Sequence, residues 1–260
     1  MRVFDFNRAI VRLPAPSVVD GLRAGDHDDP TFEGIAREHA AYVEALERAG
    51  LSVTVLPPLA DHPDSIFVED PALVFPEGAI RLRSRTPSRA GEPAALEPTL
   101  RAAFDVVLDL SEGHVDGGDV LVTPDKVFVG LSARTDEFGA TALLKLLATL
   151  GRAGEIARTP DGTLHLKTAS SLIDEETILA TAQLAATGIF DGFRVLTVPE
   201  GEASGANVLR VNDVLLAGAS YPHTRDILAA HGAKLVPLSV EEIGKVDAGL
   251  TCMSLRWWRV

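Results

Sequence analysis

Cys252, in GLTCMSLRWW, is the only cysteine in a chain of 260 residues. A thiol becomes a catalyst when a base and a charge-holding group stand near it and an electrophilic carbon can be brought to it. His165, in LHLKTASSL, could serve as that base. Two carboxylate pairs stand out: Glu69 and Asp70 in FVED, and Asp116 and Asp119 in DGGD. Carboxylates beside a thiol disfavour its ionised form. They make chemical sense if the substrate is itself a cation, held by the acids and stabilising the thiolate by its presence. A guanidinium is such a group, planar and cationic, with paired N–H donors that match carboxylates and a central carbon open to attack. The residue set therefore points to nucleophilic substitution on a guanidine.

Each residue also has a plainer reading. A lone cysteine in an apolar stretch that reads as a strand is commonly a small buried hydrophobe. His165, between two leucines, could be a core histidine. FVED could be a solvated turn, and DGGD a hairpin turn whose Asp and Gly supply positive φ. The functional reading gains from where the residues recur.

A helix followed by two strand-like runs repeats along the chain. PTFEGIAREHAAYVEALERAG places Phe32, Ile35, His39, Tyr42, Val43 and Leu46 at three- and four-residue steps, the mark of an amphipathic helix, with Pro30 opening it and Gly50 closing it. Further helices are expected near 95–104, 137–151, 180–190 and 223–232, each leading to strand pairs such as DVVLDLS with DGGDVLVTPDKVFVGL. Five units at a spacing of about 40–54 residues fall in the range of radial or stacked repeats. The last unit would be completed by the N-terminal strand RVFDFNRAIVRL. A doubly wound α/β sheet also alternates helices and strands, but each unit here carries more strand than helix, so a closed ring is preferred. Glu69 and Asp70, Asp116 and Asp119, His165, Asn207 and Cys252 then occupy equivalent places at the start of the second strand of successive units. Equivalent positions of a ring converge near its axis.

Composition narrows the partners. A net charge of −13 disfavours nucleic acid and suits a cationic ligand. A single cysteine rules out an internal disulfide and cysteine-rich metal sites, and fits a reducing compartment. No run approaches the roughly 18 apolar residues of a membrane span, and Asp5 and Arg8 interrupt any signal-peptide core. A cytoplasmic protein is expected, one domain over residues 1–260, with no membrane partner, as a monomer or homodimer.

DSIFVEDPALV, DGGDVLVTPDKVFVGLSARTDEFG, LHLKTASSL and KVDAGLTCMS, in that order, resemble the dimethylarginine dimethylaminohydrolase family of the guanidino-group-modifying (pentein) superfamily, from about residue 8 to residue 255. The resemblance implies a five-bladed α/β propeller and the hydrolysis of Nω-methylated arginine to citrulline and dimethylamine or methylamine, without metal or organic cofactor. It implies Cys252 as nucleophile, His165 as general acid and base, and Asp116 as the acid of the triad. Asp70 would hold the guanidinium, with Glu69 beside it orienting the site. Arg134 and Arg89 would grip the α-carboxylate. Phe67 would belong to the binding site, Asp64 and the backbone at Val246 and Asp247 would lie near the α-amine, and Leu22 would sit on a lid. The loop RLRSRTPSR departs from the family pattern, so Arg83, Arg85 and Arg89 compete for one role, and Asp116 stands where some members carry Glu. The alternatives are a deiminase acting on arginine, agmatine or another guanidine, a methylarginine-binding protein without catalysis, and, with no recognisable ligand spacing, a metal site.

Overall fold

The computed structural model describes residues 1–23 and 28–259. Its strands form five separate three-stranded sheets. The first joins β1 (Arg8–Arg12) and, after α1 (Phe32–Arg48), β2 (Ser52–Leu56). The second holds β3 (Ala72–Phe75), β4 (Gly78–Arg81) and, after α2 (Glu92–Ala103), β5 (Val107–Asp109). The third holds β6 (Val120–Val122), β7 (Val127–Leu131) and, after α3 (Glu137–Thr149), β8 (Gly154–Arg158). The fourth holds β9 (Ser170–Leu172), β10 (Thr177–Ala180) and, after α4 (Ala182–Ala185), β11 (Arg194–Thr197). The fifth holds β12 (Leu209–Val211), β13 (Val214–Gly218) and, after α5 (Pro222–Ala230), β14 (Leu235–Leu238). A short α6 (Glu241–Gly244) then leads to β15 (Leu255–Trp257). β15 returns to the first sheet, pairing antiparallel with β1 in the register Arg8↔Trp257, so the two ends of the chain close one blade.

All five sheets have one plan. The inner strand runs antiparallel to the middle strand, and the middle strand runs parallel to the outer one across a helical crossover. This is the five-bladed α/β propeller, with the alternative doubly wound sheet set aside. Middle strands such as Thr177–Ala180 are buried along their whole length and read as continuous apolar runs, as strands covered on both faces do.

The helix α1 begins where Thr31 Oγ1 accepts the Gly34 amide at 3.1 Å, one residue after the expected Pro30, and its chain end turns at Gly50 with φ +96. Its buried face carries Ile35, His39, Tyr42 and Leu46, as the three- and four-residue spacing predicts. Burial of each large apolar side chain contributes on the order of 2 kcal/mol. The expected helix over 180–190 is shorter, four residues, because Thr187 and then Gly188 at φ +75 take the chain out of helical geometry.

The strand starts also differ from expectation. FVED is not part of a strand but a turn after a 3-10 segment at Pro63–Ile66, with β3 beginning at Ala72, after Pro71, which has no amide to give a ladder. Cys252 likewise lies in a turn, three residues ahead of β15. DGGD is a 3-10 turn at Gly117–Asp119 with no positive φ. Its glycines answer close approach instead. A Cβ on Gly117 would stand 2.0 Å from the Glu69 carbonyl oxygen, and one on Gly118 would stand 2.6 Å from His165 Nδ1.

These five turns are stitched to one another around the axis. The Gly117 amide donates to the Asp70 carbonyl at 3.0 Å, and the Gly118 amide to Asp70 Oδ1 at 3.2 Å. The Leu166 amide donates to Asp119 Oδ1 at 2.9 Å. Asn207 Nδ2 donates to the Lys167 carbonyl at 2.8 Å, and Asn207 Oδ1 accepts the Thr251 amide at 3.1 Å. The Glu69 amide donates to the Cys252 carbonyl at 3.2 Å and completes the circuit. Repeat spacing in the sequence has become a closed ring of backbone and side-chain bonds.

No helix among the described residues is long and apolar enough to cross a membrane.

Candidate active site

One end of the axis opens into a small cavity of about 40 Å³. Cys252 and His165 both line it, brought there by turns 87 residues apart in sequence but adjacent across the ring. The Cys252 thiol is 6% exposed, with Thr251 Oγ1 at 3.9 Å from its sulfur. Burial, then the nearby Asp70 and Glu69 carboxylates, push it up to about 12, which favours the thiol over the thiolate.

His165 opens the 3-10 turn Leu166–Thr168, where its amide donates to Thr168 Oγ1 at 3.2 Å. Its Nε2 faces Asp116 Oδ2 at 3.5 Å, too long for a full hydrogen bond. Asp116 is fully buried, and neither of its carboxylate oxygens, nor His165 Nε2, has a hydrogen-bond partner. Burial favours a neutral imidazole. The facing Asp116 and the fields of Asp119 and Asp70 outweigh it and raise His165 above its ordinary value.

Asp70 lies in the cavity wall, and burial pushes its carboxyl up, but the Arg89 guanidinium more than offsets this and holds it below the usual range. Arg89 is itself buried. It gives Nη1 to Asp70, Nε and Nη2 to Glu92, and Nη2 also to the carbonyls of Asp64 and Phe67. Of the three arginines that compete in RLRSRTPSR, only Arg89 reaches the cavity, and most of its donors are already committed. Arg83 and Arg85 are exposed, Arg83 donating to the Ser111 carbonyl. Arg134, half-buried, also lines the cavity, with Nη1 on Thr86 Oγ1 at 2.5 Å and no ion pair to a described carboxylate.

The mouth is built from the remaining expected residues. Asp64 Oδ1 accepts the Leu22 amide at 3.0 Å, and burial raises the Asp64 carboxyl despite Arg89 nearby. Leu22, Phe67, Val246 and Asp247 line the rim, Asp247 with its backbone at φ +56, a left-handed conformation rare outside glycine. Glu38 of α1 sets this rim. Its carboxylate accepts the amides of Glu241, Glu242 and Ile243 at 2.8–3.1 Å, fixing α6 just ahead of Val246.

Of the twelve residues expected from the sequence, ten line this cavity and Asp116 stands behind His165. Glu69 does not line it. Its Oε1 takes Lys167 Nζ at 2.8 Å and Arg256 Nη2 at 2.7 Å, and it borders a separate, larger cavity of about 400 Å³ along the inner strands. Leu164 and Ala248 line the catalytic cavity and were not anticipated. Each adjoins a residue that was, His165 and Asp247, and that adjacency is the only sequence signal for them. Among the described residues no three His, Cys, Asp or Glu side chains cluster as metal ligands would.

The arrangement can bind a planar cation against Asp70, present its central carbon to a thiol, and move a proton at His165, which Asp116 backs. No family model matches the chain. It is 34% identical over 254 residues to an N(G),N(G)-dimethylarginine dimethylaminohydrolase of Pseudomonas aeruginosa, across 97% of this chain and 100% of that one. A protein of the same name from Streptomyces coelicolor is 34% identical over 253 residues, 96% of each chain. The solved structure of a cysteine-to-serine variant of the Pseudomonas aeruginosa enzyme, complexed with citrulline, superposes with a TM-score of 0.94 and 34% identity over 97% of this chain and 100% of that chain.

Proposed function

The chain belongs to the dimethylarginine dimethylaminohydrolase family, and on that footing we infer that it hydrolyses Nω-methylated L-arginine to L-citrulline and a methylated amine, with the roles of its residues divided as follows. The guanidinium enters against Asp70 in the cavity wall, with Asp116 acting from behind His165. Its positive charge opposes the two influences that hold Cys252 as a thiol, burial and the facing carboxylates. The thiol then yields its proton to water, and the thiolate attacks the guanidinium carbon. A C–S bond forms, and the C–N bond to the methylated nitrogen breaks as His165, whose protonated form the facing carboxylates favour, gives that nitrogen its proton. The product is a thiouronium on Cys252 and free amine. Water, giving one proton back to His165, attacks the same carbon; the C–S bond breaks, the remaining hydroxyl proton passes to the Cys252 sulfur, and neutral citrulline leaves the restored thiol.

Arg134 binds the α-carboxylate, because it is the cavity arginine not engaged with an acid. Arg89 acts chiefly by holding Asp70 ionised and in place. Asp64 and the backbone at Val246 and Asp247 receive the α-amine, and Leu22 covers it. The observation that carries this reading is the meeting of Cys252 and His165 in one cavity, with Asp70 in its wall and Asp116 behind the imidazole.

The test is turnover of asymmetric dimethylarginine, monomethylarginine and arginine by chelator-treated protein, with Cys252→Ser alongside. Citrulline with dimethylamine or methylamine, lost in Cys252→Ser, is expected. Ammonia from arginine as the main product would move the assignment to a deiminase.

A further inference from the structure

The DGGD turn carries a second carboxylate that the reaction above leaves unused. Asp119 is fully buried, and every group hydrogen-bonded to it donates. Its Oδ1 accepts the Leu166 amide at 2.9 Å. Its Oδ2 accepts Thr135 Oγ1 at 2.6 Å and Ser132 Oγ at 2.7 Å. The Ser132 proton must point at Asp119, because both lone pairs of Ser132 Oγ are taken by amides. Ser132 Oγ accepts the amides of Arg134 at 3.0 Å and Thr135 at 3.2 Å, and Thr135 Oγ1 accepts the Asp116 amide at 3.2 Å. The Leu166 amide and the Ser132 hydroxyl favour the charged form of Asp119, against burial, which pushes the group up.

Each bond leads to a residue of the site. Leu166 follows His165 in the same turn. Ser132 and Thr135 bracket Arg134. Thr135 reaches back to Asp116. Gly130 of β7 lets these pieces close up, since a Cβ there would meet Leu166 Cβ at 2.9 Å and Asp119 Oδ1 at 3.4 Å. We propose that Asp119 is a positioning residue that locks the His165 turn, the Arg134 loop and Asp116 into one geometry, so that both ends of the substrate are read against a single buried carboxyl group. Its kinetic consequences rest on the reaction proposed above; its structural ones do not.

Asp119 also contributes to the field at His165. The other charged groups around that imidazole are Asp116 and Asp70, with Lys167 two residues on and Arg89, Arg134 and Cys252 lining the same cavity. Removing the Asp119 charge therefore favours neutral His165, while Asp116 and Asp70 remain.

The experiment is the pair Asp119→Asn and Ser132→Ala, read by steady-state kinetics on asymmetric dimethylarginine, by NMR titration of the His165 ring assigned with His165→Gln, and by melting temperature. Asp119→Asn is expected to lower kcat/KM about 10²-fold, the usual effect of misplacing reacting groups by about an ångström, with KM up and kcat down. Its His165 midpoint should move to lower pH. Ser132→Ala frees only the Arg134 loop, so KM should rise while the His165 titration stays where it is. A folded Asp119→Asn protein with a lower melting temperature but unchanged kcat, KM and His165 midpoint would overturn the proposal. Should Asp119→Asn not fold, Thr135→Val, which removes one donor and keeps the charge, must still lower kcat/KM, and unchanged kinetics there would overturn it equally. The titration needs no substrate. A shifted midpoint in a protein inactive on methylarginines would therefore sink the reaction while leaving the positioning role supported.

Discussion

The resting state of Cys252 is open to direct attack by experiment. An ordinary cysteine titrates near 9, whereas burial and the Asp70 and Glu69 carboxylates push Cys252 up to about 12. At about pH 8 a thiol near 9 is ionised roughly once in ten molecules, and one near 12 roughly once in 10⁴. Only the thiolate is alkylated, so iodoacetamide should modify the free enzyme about 10³-fold more slowly than an unperturbed thiol. The rate should then climb about tenfold per pH unit from neutral pH to beyond 10, without a plateau. Cys252 is the sole cysteine, so intact mass reports one site. Asp70→Asn removes the larger of the two carboxylate influences and leaves Arg89 facing the cavity without that partner. It should accelerate alkylation at fixed pH, even as it lowers turnover through loss of a substrate-binding charge. A plateau at or below about pH 8 in the free enzyme would mean a preformed thiolate, and the argument that the substrate's own charge drives ionisation would be wrong.

Other consequences are equally specific. His39 is buried on α1, its Nε2 without a partner, and burial lowers it to about 4. Its folded value lies below its unfolded one, so stability is full above about pH 6.5 and falls as pH drops through 4, by about 3 kcal/mol at the limit; His39→Leu should flatten that part of a urea-denaturation pH profile, and an unaltered profile would refute it. Arg134→Ala should raise KM for dimethylarginine by about 30–150-fold, as loss of a charged hydrogen-bond pair of roughly 2–3 kcal/mol requires, with kcat changed far less; an unchanged KM would mean another group holds the carboxylate. Gly118→Ala puts a methyl 2.6 Å from His165 Nδ1 and should cut kcat by at least about 10-fold with a smaller loss of stability, measured side by side by turnover and thermal melting. Asn207→Ala breaks the ring at Lys167 and at Thr251, and should cost about 2–3 kcal/mol in denaturant unfolding.

The propeller was legible in the sequence because its repeat is long and its punctuation is chemical. Helix periodicity, paired apolar strands and a polar residue at each strand start recur five times, and each of those polar positions lies in the turn ring. The position of Cys252 in a turn was not legible, since GLTCMSL has the apolar look of a strand and the ladder that begins at Leu255 depends on partners in β1, more than 240 residues earlier. The direction of Glu69 was hidden for the same reason. It is adjacent to Asp70, yet its carboxylate goes to Lys167 and Arg256, residues that no local pattern joins to it. Arg89 was visible as an arginine in a suggestive loop, but its engagement with Asp70 and Glu92 required the start of α2 to be known. What a short motif cannot carry is which of two neighbouring charges faces the cavity and which is spent holding another charge.

Turnover by this route requires a covalent bond at Cys252. Rapid acid quench of enzyme mixed with asymmetric dimethylarginine, followed by intact mass and peptide mapping, tests it most directly. The predicted result is a transient adduct with the mass of the substrate less dimethylamine, confined to the peptide holding Cys252 and decaying as citrulline appears. Citrulline formed at full rate with no such adduct at any quench time, or an adduct on another residue, would contradict it.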